Sequence, residues 1–143
     1  MRSVMLIGQS GSGKSALIKA LSDETYLPAR SMAVEFFGSF INTPDEFLEN
    51  RRFYPALITA SAQCDVLFFL HNSADRSSLF PPNFASAFSK RVIGVITCMH
   101  QTDGDSELAG RFLQAAGVHE VHLVDFATGA GLEELRCILC END

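Results

Sequence analysis

The sequence predicts a three-layer α/β fold on about six mostly parallel strands. Three observations carry that expectation. Residues 66–70 and 92–96 are continuous apolar runs of strand length, the pattern of strands in a parallel sheet covered by helices on both faces. Apolar runs alternate with helical periodicity along the whole chain. A glycine-rich stretch joins the first run, residues 4–7, to the first helical segment, residues 14–21. With 143 residues, the chain 1–143 is expected to form a single domain.

The remaining elements follow in order. Leu17, Ile18 and Leu21 share one face of the first helix. Residues 33–37 and 39–41 read as two strands interrupted at Gly38 by a bulge or tight turn. Thr43 is placed to cap a helix with Pro44 in its first turn, and Asp45 and Glu46 suit the positive end of that helix. Pro55 should break or restart it before residues 56–62. Residues 77–89, with Pro81 and Pro82, are expected to start as a loop. Asp103, Asp105 and Glu107 open a helix whose Leu108, Phe112, Leu113 and Ala116 should face the core, with Gly117 as its C-terminal cap. Val121, Leu123 and Phe126 belong to the last strand, and Leu132, Leu135, Ile138 and Leu139 line the final helix.

Charge and composition exclude several function classes. A net charge of −6 without a Lys/Arg cluster argues against a nucleic-acid binder held by phosphate contacts. No apolar run approaches the roughly 18 residues that span a bilayer, so no membrane partner is expected. The chain enters its main motif by Gly8, which leaves no room for a signal peptide. Four cysteines then suggest free thiols in a reducing, cytoplasmic compartment. Cys64 and Cys98 read as small core residues, and Cys137 and Cys140 as one turn of the last helix.

Residues 8–15, GQSGSGKS, fit the pattern G-x-x-x-x-G-K-[ST] in full, between a strand and a helix. Gly8 and Gly13 permit backbone angles that a side chain would obstruct. The amides of residues 11–15 can then turn inward and cradle a polyphosphate at the helix N-terminus. The candidate phosphate-binding set is Gly8, Gln9, Ser10, Gly11, Ser12, Gly13, Lys14, Ser15 and Ala16. Lys14 is the candidate catalytic residue, reaching the β- and γ-phosphates, and the Ser15 hydroxyl is a candidate Mg²⁺ ligand. The fold class becomes a P-loop NTPase, with ATP or GTP and Mg²⁺ as expected ligands.

Together with this motif, RSMAVEF (30–36), NTPDEFLEN (42–50), YPALI (54–58) and TGAGLEEL (128–135) resemble the EutP/PduV family. These are small Ras-like P-loop proteins of ethanolamine and propanediol utilisation. AVEF and YPALI lean toward the EutP branch. The resemblance implies a cytoplasmic nucleotide-binding protein associated with a bacterial microcompartment, with its shell or enzyme proteins as partners. It also implies one of two activities: a small-carboxylate (acetate) kinase, or a GTPase-like factor that aids localisation.

Departures from the family pattern bear on mechanism. The family's D-T-P-G is here Asn42-Thr43-Pro44-Asp45. Asn42 can accept a hydrogen bond from a Mg²⁺-bound water but brings no charge. Asp45 either places a carboxylate close to the γ-phosphate position, which opposes turnover, or is a helix-terminal acid pointing away. The guanine-reading [NT]KxD is Thr97-Cys98-Met99-His100, leaving Thr97 and His100 as base-side candidates that cannot form the aspartate fork. Ser31 stands where the first switch segment carries its Mg²⁺-binding threonine, with Arg30 beside it. His71 and Asp75, at the C-terminal end of the fourth strand, are candidates for touching a second substrate. Three readings follow: a nucleotide binder with weak or absent hydrolysis, an acetate kinase using ATP, and a non-catalytic interaction module.

Overall fold

In the computed structural model, which describes residues 2–22, 33–98 and 104–140, the apolar runs pair as expected into one six-stranded sheet. The elements are β1 (Val4–Ile7), α1 (Lys14–Ser22), β2 (Glu35–Phe37), β3 (Phe40–Asn42), α2 (Asp45–Glu49), α3 (Tyr54–Ser61), β4 (Val66–Asn72), β5 (Arg91–Cys98), α4 (Ser106–Ala115), β6 (Glu120–Asp125) and α5 (Leu132–Cys140). The strand order is β2-β3-β1-β4-β5-β6, and every pair is parallel except β2 with β3. That exception follows from Gly38, whose φ of +58° closes a tight turn and returns the chain as a hairpin.

Alternation along β1 sorts the core into two layers. Val4 and Leu6 join Phe68 and Leu70 of β4 under α1 and α5, against Leu17, Ile18, Leu135 and Leu139. Met5 and Ile7 join Leu67 and Phe69 on the other face, against Phe47, Leu48, Leu57, Ala109 and Leu113. Both faces of the central strands are covered, which explains their unbroken apolar sequence. Pro55 restarts the chain as α3 after a short 3-10 turn at Arg51–Phe53.

Several expectations need correction. Thr43 does not cap α2: its hydroxyl donates to the Leu6 carbonyl at 2.7 Å, tying β3 to β1, and Pro44 holds the cap position. On α4, Ala109 and Leu113 are buried while Leu108 and Phe112 are only half-buried. Leu113 and Ala116 face the core as expected, and Asp105 caps that helix, its carboxylate accepting from the Leu108 amide at 3.0 Å. On β6 the pleat places Val124 inside and leaves Leu123 exposed. Cys98 is half-buried rather than core, whereas Cys64 is buried and Cys137 and Cys140 lie exposed on α5. The segment 77–89 starts as a loop, as expected, and then packs onto β4. Phe80 stacks on Phe69 at 4.8 Å, and Phe84, from a 3-10 turn at Phe84–Ala87, and Phe88 complete an aromatic cluster over β4. Among the described residues no helix is long and apolar enough to cross a membrane.

Candidate functional site

Residues 8–13 leave the C-terminal end of β1 and wrap tightly into the start of α1. Two of the three glycines take positive φ, Gly11 at +79° and Gly13 at +98°. Gly8 is required for a different reason from the one the motif suggested. Its φ is ordinary, but a Cβ there would run into the Ser12 side chain and approach the Leu70 carbonyl at 3.2 Å. The Ser12 amide donates back to the Gln9 carbonyl at 3.1 Å, which closes the turn.

The ends of β4 and β5 brace this loop. Thr97 is buried and donates its hydroxyl to the Ser12 carbonyl at 2.6 Å, and a Cβ on Gly13 would meet the same threonine at 3.2 Å. Its hydroxyl is committed to the loop backbone, which accounts for a threonine here without any contact to a base. Asn72 donates its side-chain amide to the Gly11 carbonyl at 3.0 Å. Gln9 is held on both ends of its amide: Nε2 donates to Asp75 at 2.6 Å and to the Ser77 carbonyl at 3.2 Å, while Oε1 accepts from the Leu79 amide at 2.9 Å. Asp75 therefore clamps the loop. His71 is fully buried, its Nε2 3.0 Å from the Asp75 carbonyl and its ring edge-on to Phe112 at 5.2 Å. His71 is thus closed off from solvent, and Asp75, half-buried, is engaged with Gln9.

Lys14 is only 6% exposed. Its Nζ donates to the Gly8 carbonyl at 2.6 Å and forms an ion pair with the Asp45 carboxylate. Burial pulls the Lys14 pKa below the usual lysine value, and Asp45, with Glu49 and Glu46 farther off, pushes against that. Asp45 thus points at the loop, not away from it. Glu49, one turn later on α2, accepts from the Ser10 amide at 2.9 Å. One carboxylate oxygen sits on the motif's lysine, where its chemistry calls for a phosphate oxygen, and a second sits on the Ser10 amide, just outside the amides of residues 11–15.

Ser15 lies in the first turn of α1, half-buried, and Asn42 is buried at the end of β3. A hydroxyl and an amide oxygen at the ends of adjacent elements suit a hard cation that brings phosphate and water as its other ligands. Arg30, Ser31, His100 and Asp103 lie outside the described residues. Sequence reasoning missed Glu49, Asn72 and the clamp on Gln9. A signal for Glu49 was present: it sits four residues after Asp45, so both carboxylates fall on one face of α2.

Comparison with known proteins agrees with this geometry. The family model described as ethanolamine utilisation - propanediol utilisation, PduV-EutP, matches residues 1–141. The propanediol utilization protein PduV of Citrobacter freundii is 29% identical over 140 residues, covering 97% of this chain and 93% of that protein. The probable acetate kinase EutP of Escherichia coli is 33% identical over 122 residues, covering 84% of this chain and 77% of that protein. Among solved structures, the cytosolic domain of the T. maritima FeoB iron transporter in its GMPPNP form superposes with a TM-score of 0.62 at 19% identity. That match covers 100% of this chain and 65% of the solved one. Aquifex aeolicus Era bound to GDP and AlF4⁻ gives 0.58 at 17% identity, covering 100% of this chain and 59% of Era. The chain therefore spans about two thirds or less of these solved chains, and the likeness shows a P-loop GTPase-like fold.

Proposed function

The chain belongs to the PduV-EutP family of ethanolamine and propanediol utilisation, and from that premise we propose that it binds ATP or GTP with Mg²⁺ on residues 8–16. The observation that carries this reading is the braced loop ending in a buried Lys14, already engaged with carboxylate oxygens. Phosphate would take the amides of residues 11–15 and the Lys14 ammonium, and Ser15 with Asn42 would hold the Mg²⁺. When bound, Mg²⁺ neutralises phosphate charge. Lys14 orients the terminal phosphates, while Thr97, Asn72 and the Gln9 clamp hold the loop in shape. Turnover is slow, because Asn42 lacks a carboxylate charge and Asp45 presents one beside Lys14. The protein works in the cytoplasm, alongside the shell or enzyme proteins of a microcompartment.

A panel titration tests this: ATP, GTP, their diphosphates and inorganic phosphate, each with and without Mg²⁺. Binding that Mg²⁺ strengthens and Lys14→Met abolishes supports the reading. No binding at millimolar nucleotide, or affinity unchanged in Lys14→Met, removes it. Small-carboxylate phosphotransfer is favoured by one further observation, a carboxylate oxygen of Glu49 seated on the Ser10 amide at the rim of the cradle. Acetyl phosphate formed from ATP and acetate supports that activity; its absence alongside intact nucleotide binding contradicts it.

A further inference from the structure

We propose that Asp45 is a tethered competitor for the phosphate site and sets the preference between nucleoside di- and triphosphates. The proposal rests on the nucleotide-binding reading and deepens it. Asp45 is the first residue of α2, and Phe47 and Leu48 of the same helix are buried, with Phe47 stacked on Phe53 at 4.9 Å. The helix is thereby pinned to the sheet, and its Asp45 and Glu49 are carried on the side that meets the loop. Asp45 holds Lys14, and Glu49 holds the Ser10 amide. Both contacts must open before phosphate oxygens can replace them.

The two carboxylates are not equivalent. Loop amides take the α- and β-phosphates of a nucleotide, whereas the loop lysine spans the β- and γ-phosphates. The Lys14 ammonium is shared between the Gly8 carbonyl of the loop and the Asp45 carboxylate of α2, so Asp45 occupies a position on that ammonium that a phosphate oxygen would take. A triphosphate must displace Asp45 from Lys14 and then sit beside its charge. A diphosphate meets Asp45 at its β-phosphate alone, without the further charge of a γ-phosphate beside it. Glu49 contacts only the outer rim of the loop at Ser10, and it opposes both ligands alike.

Asp45→Asn keeps the side-chain shape and removes the charge at a position that is 41% exposed, so the fold tolerates it. Calorimetric titrations of the full chain with ATP, GTP, ADP and GDP, with Mg²⁺ at fixed ionic strength, compare wild type, Asp45→Asn and Glu49→Gln. In Asp45→Asn the Kd of the triphosphate that binds falls by about 10- to 100-fold, while that of the diphosphate falls by no more than about 3-fold. Glu49→Gln tightens both classes by a similar small factor. Equal tightening of di- and triphosphate in Asp45→Asn, no change, or weaker triphosphate binding would each overturn the proposal, the last by making Asp45 a ligand instead of a competitor. A Glu49→Gln effect as selective as that of Asp45→Asn would overturn it too. In all of those cases the wild type still binds nucleotide, and the functional reading survives. Absence of any nucleotide binding in the wild type and in both variants would bring down the functional reading and this one together.

Discussion

The Lys14–Asp45 pair is lopsided, and its two halves should respond oppositely to mutation. Lys14 is 6% exposed and Asp45 41%. Asp45→Asn leaves a buried cation with the Gly8 carbonyl at 2.6 Å and no adjacent carboxylate. Breaking a fully buried ion pair costs about 3–5 kcal/mol. Asp45 already meets water, so screening reduces the expected loss to about 1–2 kcal/mol. For a chain of this size that is a fall in Tm of about 2–8 °C. Lys14→Met removes the buried charge, keeps an apolar stem and returns Asp45 to solvent, so stability should stay within about 0.5 kcal/mol of wild type or rise. In Lys14→Met/Asp45→Asn there is no stranded cation, and the loss seen in Asp45→Asn alone should largely disappear. Urea denaturation of all four proteins without nucleotide gives the coupling directly. The pH dependence has a definite sign. A lowered Lys14 pKa means the unfolded chain binds more protons between that value and 10.5, so this group's contribution to stability rises as pH climbs through the window. Asp45→Asn should steepen that rise. Equal losses in Lys14→Met and Asp45→Asn would refute the reasoning, because packing of the lysine stem, not its charge, would then control the loop.

Three further outcomes are expected. Gly131 has φ +89°, and a Cβ there would collide with the Leu123 carbonyl, so Gly131→Ala should destabilise by about 2–4 kcal/mol in calorimetry; a loss below about 1 kcal/mol would contradict the close approach. The His122 and Arg91 side chains hold the Glu120 carboxyl below its usual range, so its contribution is present at neutral pH and disappears as pH falls through 4.5 and below. Glu120→Gln should therefore flatten the acid limb of the stability profile, and parallel limbs would disprove the pairing. Burial pushes the Cys64 thiol up, whereas Cys137 and Cys140 are exposed and free. A thiol reagent should label the latter two quickly in the native protein and Cys64 only on unfolding; fast labelling of Cys64 would contradict its burial.

The sheet and the loop were legible in the sequence because their signals are local. Apolar runs 66–70 and 92–96, the tight turn at Gly38 and the GQSGSGKS pattern each declare themselves within a few residues. What sequence reasoning missed depends on tertiary contact. Thr43 looks like a cap until the end of β1 offers its hydroxyl the Leu6 carbonyl. The aromatic cluster of Phe80, Phe84 and Phe88 is not legible locally, because these rings pack on one another, on Tyr54 of α3 and on Phe69 of β4. The two placements open for Asp45 could be separated only once α2 was docked, since the ion pair joins residues 31 apart in sequence. Which face of the last strand is buried was likewise open until it paired with β5, where Val124 turns inward and Leu123 outward.

The central claim is that the loop over Lys14 receives the phosphates of a nucleotide. Amide chemical-shift mapping during titration with Mg²⁺ and ATP or GTP tests it most directly. The account predicts the largest shifts at the amides of residues 10–15, with Ser10 moving as Glu49 leaves it, and loss of these shifts in Lys14→Met. Shifts centred elsewhere on the molecule, or none at millimolar nucleotide, would contradict it.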